Sequence, residues 1–180
     1  MTTAVLLVDL QRDFLDSKAG RMPVAELGAA AVLQAANEVL ARRVLPQALI
    51  VLVLNRFPAT VRLANFFRKH AGIEGSPGAE PDPRLEHLDN ATLLVKSKPS
   101  AFSNPELQRV LAARRVEELF VLGVFAEGCV RATVAEAVRL GYAVRVVESA
   151  VASDASWKKR AALWYMRYAG ARVVWSVHDA

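Results

Sequence analysis

Short apolar runs and amphipathic stretches alternate along the whole chain. Residues 4–8 (AVLLV) and 49–54 (LIVLVL) are continuous apolar runs, as strands buried on both faces require. Residues 92–95, 119–124, 143–147 and 172–175 read as four further strands. Between them lie helical patterns. Residues 24–43 follow Pro23, and 61–70 are helical. Residues 106–115 begin at Asn104 as N-cap with Pro105 in the first turn. After Cys129, apolar residues recur at Val130, Val134, Ala137 and Val138, and Gly141 closes the stretch. A last helix runs from a cap at Asp154 through Ala169, with Trp157, Ala161, Trp164 and Tyr168 on one face and Gly170 at its end. Residues 71–83 are rich in Gly and Pro and form a loop, whose length makes it a candidate active-site wall.

Strand and helix alternate with no linker and no internal repeat, which predicts one domain over residues 1–180. Its fold class is α/β: a parallel sheet covered by helices on both faces. In such sheets ligands bind beyond the C-terminal strand ends, where the strand order reverses. Three chemically capable residues fall at those ends. Asp9 ends the first strand, Lys96 ends the third, and Cys129 follows the fourth.

Cys129 is the only cysteine, and the spacing places it in the first helical turn. Free N–H groups and the helix dipole favour a thiolate there; the alternative is a small buried hydrophobe. A nucleophilic thiol needs a base. His70, His87 and His178 all lie away from strand ends, so Asp9 is the candidate base and Lys96 its electrostatic partner. Backbone N–H groups of Phe125 and Cys129, where a turn enters a helix, are candidate oxyanion donors. Gly123 and Gly128 have the outer spacing of a phosphate-binding loop. Cys129 and Val130 stand where that loop needs Lys and Ser/Thr, which excludes a nucleotide triphosphatase.

Composition narrows the picture. Hydrophobic residues make up 53% of 180, which excludes disorder. No cationic-then-apolar leader and no bilayer-length apolar stretch is present, so no membrane partner is expected. A single cysteine fits a reducing cytoplasm. The net charge of +5 is scattered rather than clustered and accompanies no nucleic-acid motif, so no nucleic-acid partner is expected.

The stretches AVLLVDLQRDF, GSPGAE, VKSKPSAF, LGVFAEGCVRATVAEAVRLGYAV and VESAVAS, in this order, resemble the isochorismatase-like cysteine hydrolases. That superfamily includes nicotinamidases, N-carbamoylsarcosine amidases and ureido-amide hydrolases. The resemblance implies a three-layer αβα, Rossmann-like fold with a mostly parallel six-stranded sheet. It implies a catalytic triad of Asp9, Lys96 and Cys129, with Lys98 the less favoured lysine. It also implies a cis peptide at Val124–Phe125 that aims the Phe125 N–H at the oxyanion. The expected partners are a small-molecule substrate and further copies of the chain, as a dimer or tetramer. No cofactor is expected.

Three departures stand out. Nicotinamidases carry an Asp-x-His metal motif after the second strand; here that place reads Asn55-Arg56-Phe57, so no metal is expected. Ala126-Glu127 replaces the usual Thr-Asp, and Pro99 stands where an aromatic residue is common. Phe14, Asn55, Phe57, Phe102 and Phe125 are pocket candidates, the phenylalanines being alternatively core. Arg56 is either a contact for an anionic substrate or a surface arginine. Retention of Cys129 implies cleavage of amide rather than vinyl-ether bonds. The reading is a hydrolase of amidohydrolase type, acting on a small amide, carbamoyl or ureido compound through a thioester. A non-catalytic binding module of the same fold is the alternative, and a nucleic-acid-associated protein a third.

Overall fold

An all-apolar strand cannot leave either face in water, so it must be sandwiched. A computed structural model, which describes residues 1–179, shows how this is met. The strands are β1 (Thr3–Val8), β2 (Leu49–Asn55), β3 (Thr92–Lys96), β4 (Glu118–Val124), β5 (Ala143–Ala152) and β6 (Arg172–Val174). They form one sheet in the order β3-β2-β1-β4-β5-β6, with every pairing parallel. The helices are α1 (Arg12–Leu15), α2 (Glu26–Leu40), α3 (Arg62–Phe67), α4 (Pro105–Ala113), α5 (Arg131–Arg139) and α6 (Ser156–Tyr168).

Strand alternation divides the core in two. Val5 and Leu7 point to a layer holding Phe14 and Leu15 of α1 and the apolar stripe of α2. Ala4, Leu6 and Val8 point to the opposite layer, which holds Leu107 and Leu111 of α4, Val134 and Ala137 of α5, and Leu163 and Met166 of α6. The result is three layers, αβα. Among the described residues no helix is long and apolar enough to cross a membrane.

Several boundaries differ from the sequence reading. β5 extends to Ala152, with a register shift opposite Gly123 that lets it continue along β4. α5 begins only at Arg131, after a π-turn (Ala126–Val130) kinked at Gly128. Cys129 therefore precedes the helix rather than occupying its first turn. The N-cap of α6 is Ala155; the Asp154 carboxylate instead accepts from Lys158 Nζ at 2.7 Å. The face of α6 carrying Trp157, Trp164 and Tyr168 is exposed. The helix meets the sheet through Ala162, Leu163 and Met166 instead, because these side chains are less bulky than the aromatic rings and allow closer approach.

The central pairing carries one backbone constraint. Gly123 in β4 lies opposite Val8 in β1 with φ +129°, and an added Cβ would stand 2.1 Å from the Val8 carbonyl oxygen. Only glycine permits the two strands to meet there. The strand order reverses between β1 and β4, so the ends of β1, β2, β3 and β4 converge on one crevice.

Candidate functional site

Four strand ends supply the site. Asp9 follows β1 in left-handed backbone (φ +56°), and its N–H donates to the Val53 carbonyl at 2.8 Å. Asn55 and Lys96 end β2 and β3 and are register partners. Cys129 follows β4 in the π-turn. Lys96 Nζ donates to Asp9 Oδ2 at 2.9 Å, and both residues are buried. Asn55 Nδ2 donates to the same oxygen at 3.0 Å and to Cys129 Sγ at 3.3 Å. The structure thus brings Asp9, Lys96, Asn55 and Cys129 into one cluster, with the Asn55 amide as its bridge. Gln11 fixes the main chain of Asn55, from which that amide projects. Its Oε1 accepts the Asn55 N–H at 2.7 Å, and its Nε2 donates to the carbonyls of Asn55 and Ala79.

The electrostatics follow from burial. Asp9 is raised above the usual carboxylate range, chiefly by loss of water, with Lys96 pulling the other way. The Cys129 thiol is pushed up to about 12 by burial and then by the Asp9 charge, again opposed by Lys96. The sequence reading had the helix end favouring a thiolate. Here desolvation and a neighbouring anion raise the thiol's proton affinity instead. Asp9 Oδ1 is buried with no hydrogen-bond partner among the described residues, so this carboxylate has an acceptor to spare.

A cavity of about 480 Å³ opens above the cluster. Phe14, Phe57 and Phe125 line it with Asn55 and Cys129, and Phe14 meets Phe125 edge-on at 5.7 Å. Phe102 does not line it. That ring is buried in the core and stacks on Tyr142 at 5.9 Å, because the turn after β3 directs it toward α5. Lys98 is exposed. The loop over 71–83 is not a wall either. It braces the wall from behind: Phe57 N–H donates to the Gly72 carbonyl, and Gly72 N–H donates to the buried Asp13 carboxylate at 2.8 Å. Arg56 turns away to pair with Glu80 at 3.1 Å, leaving it the surface role. The Val124–Phe125 peptide is cis.

One wall residue was not anticipated. Arg68, just past α3, lays its guanidinium 3.6 Å over the Phe57 ring and lines the cavity. No pattern could have marked it, since α3 has a single buried residue, Asn65, and no apolar stripe. Across the cavity, Lys158 is occupied by Asp154, and Glu127 accepts from Ser153 Oγ at 2.9 Å.

The Isochorismatase domain model matches residues 3–176. An uncharacterized isochorismatase family protein of Bacillus subtilis is 33% identical over 85% of this chain and 79% of its own. A probable inactive nicotinamidase of Arabidopsis thaliana is 30% identical over 84% of this chain and 81% of its own. Among solved structures, a pyrazinamidase of Pyrococcus horikoshii in complex with zinc is 26% identical. It superposes with a TM-score of 0.83 over 97% of this chain and 99% of that one. The residues after β2 do not fit a metal of the Asp-x-His kind. The Asn55 amide is committed to Asp9 and Cys129, Arg56 is a cation paired with Glu80, and Phe57 offers no donor and lies beneath a guanidinium.

Proposed function

The chain belongs to the isochorismatase family of hydrolases, and from that premise we propose that it cleaves a C–N bond of a small amide, carbamoyl or ureido compound through a thioester on Cys129. The observation that carries the reading is the cluster at the cavity, in which one Asn55 amide bonds both the Cys129 sulfur at 3.3 Å and the Asp9 carboxylate at 3.0 Å, and Lys96 pairs with that carboxylate. As Sγ bonds to the substrate carbonyl carbon, its proton passes to Asp9, so no free thiolate has to form in a dry site. The carbonyl π pair moves onto oxygen, which the N–H groups of Phe125 and Cys129 face. Collapse of this intermediate breaks the C–N bond, and protonated Asp9 returns the proton to the leaving amine. A water then attacks the thioester with Asp9 again taking a proton. The acid leaves, and the thiol is restored. Lys96 holds Asp9 in its ionised form between turnovers, and Asn55 keeps Sγ and Oδ2 in register.

A second reading, a small-molecule-binding member without turnover, is favoured by two observations: the relative described as a probable inactive nicotinamidase, and the Ala126-Glu127 departure. The two separate cleanly. The protein is incubated with a panel of primary amides and ureides, ammonia release is followed, and mass spectrometry looks for an acyl adduct on Cys129. Hydrolysis with an adduct, and a loss of at least about a thousandfold in Cys129→Ala, is the expected result. Undiminished ammonia release by Cys129→Ala would sink the mechanism. Ligand-dependent stabilisation with no product would establish the binding reading.

A further inference from the structure

Arg68 is placed in the cavity like a recognition group. A guanidinium on a protein surface ordinarily pairs with a carboxylate, and among the described residues this half-buried one does not. It stacks on Phe57 at 3.6 Å, which fixes its plane. Its Nη2 donates to Asn65 Oδ1 at 2.8 Å, and Asn65 is itself buried and anchored by its Nδ2 to the Pro58 carbonyl. Its Nε is buried and has no hydrogen-bond partner among the described residues. Among those residues Arg68 joins no ion pair, whereas Lys96 is matched by Asp9 and Lys158 by Asp154. Lys69, beside it, also lines the cavity. The unmatched positive charge of the pocket therefore sits on one wall, above the apolar rings and facing the space that leads to the sulfur.

We propose that Arg68 is a specificity residue that binds a carboxylate carried by the substrate, so that the preferred substrates are amides, carbamoyl or ureido compounds bearing an acid group at the end remote from the scissile bond. The guanidinium plane presents paired N–H groups of the geometry a carboxylate accepts, and a lysine cannot reproduce that fork. Phe57 and Asn65 hold the plane before the ligand arrives, so little ordering is left to binding. Arg68 and Cys129 line the same cavity, which is consistent with a short substrate spanning the two. The inference rests on the hydrolase reading for its word "substrate", but the binding claim stands apart from turnover.

The test uses the half-amides of malonic, succinic and glutaric acid and N-carbamoylglycine, each against its own neutral counterpart (the diamide, or N-carbamoylglycinamide). In the wild type, at least one acid is expected to exceed its neutral counterpart in kcat/KM by about 10- to 100-fold, mostly through KM. In Arg68→Gln that ratio collapses toward one, and Arg68→Lys restores it only partly. Binding of the same compounds to Cys129→Ala and to Cys129→Ala with Arg68→Gln is measured by calorimetry. Acid binding that is lost with Arg68, together with no turnover of any of these compounds by the wild type, would keep the subsite and sink the hydrolase. Turnover with equal preference for acids and neutral amides, unmoved by Arg68→Gln, would keep the hydrolase and overturn the subsite. Failure of every acid to bind Cys129→Ala also overturns it.

Discussion

The carboxylate of Asp9 is pulled in two directions, and the balance should be visible in a pH profile. Burial raises its proton affinity, and Lys96 lowers it. In the proposed mechanism Asp9 is the base and must be ionised, so kcat/KM is expected to fall on the acid side, with its midpoint above the ordinary carboxylate value of about 3.9. Lys96→Met removes the lowering influence. The acid limb should then move to higher pH, in addition to any loss in the plateau. A limb that stays where it was would separate Lys96 from Asp9 in function, despite the 2.9 Å contact. Asn55 is the residue whose part was least evident beforehand. It counted as a pocket wall, yet its amide also ties the carboxylate to the sulfur. A strand-end asparagine carries no signal of that kind until β2 and β3 are in register.

At the scale of elements, the meeting of β1 and β4 is the joint that sets Asp9 against the turn carrying Cys129. Gly123→Ala drives a Cβ into the Val8 backbone at a φ that L-residues avoid, one residue before Asp9. The expected cost is more than about 2 kcal/mol, read as a lower urea midpoint, because two central strands must separate. Gly75→Ala is the comparison. That glycine also has positive φ (+79°), but nothing lies within 4 Å of an added Cβ. Its cost should stay near the roughly 1 kcal/mol of the left-handed conformation alone. If the two substitutions cost the same, the close approach of the strands is not what requires glycine at position 123.

Across the whole molecule, much of the fold could be read from the chain. Unbroken apolar runs of five or six residues have one common solution, a parallel sheet with helices on both sides, and strand–helix alternation supplied the order. Periodicity located helices but did not decide which face they bury. On α6 the spacing of Trp157, Trp164 and Tyr168 is as regular as that of the core residues, and only packing distance separates them. Arg68 escaped notice for the opposite reason, since a six-residue helix on the rim has no stripe to read. The two core layers share the sheet, so unfolding is expected to be one cooperative event. At pH 8 the Cys129 thiol should react slowly with iodoacetamide in the native protein and rapidly in the unfolded chain, where its proton affinity returns to about 8.5. The denaturant midpoint for this change should match that of the far-UV circular dichroism. A thiol that becomes reactive well before the helices are lost would mean that the crevice opens locally. The sign of the linkage is also fixed. The folded protein keeps a proton that the unfolded chain releases above about pH 8.5, so stability should decline as pH climbs from there toward 12.

Under the proposed mechanism, a sulfur that stays protonated until a carbonyl reaches it has a consequence for the life of the molecule. Peroxide and adventitious electrophiles attack thiolates, and susceptibility follows thiolate character and exposure. Between turnovers Cys129 offers neither in full, so its idle state is chemically quiet. That quiet matters because the chain holds no second cysteine. A sulfenic acid formed here would find no second thiol in its own chain to condense with, and oxidation to the sulfonic acid would be irreversible. Durability of the proposed nucleophile therefore depends on withholding its charge, a task performed by the same burial and the same carboxylate that raise its proton affinity.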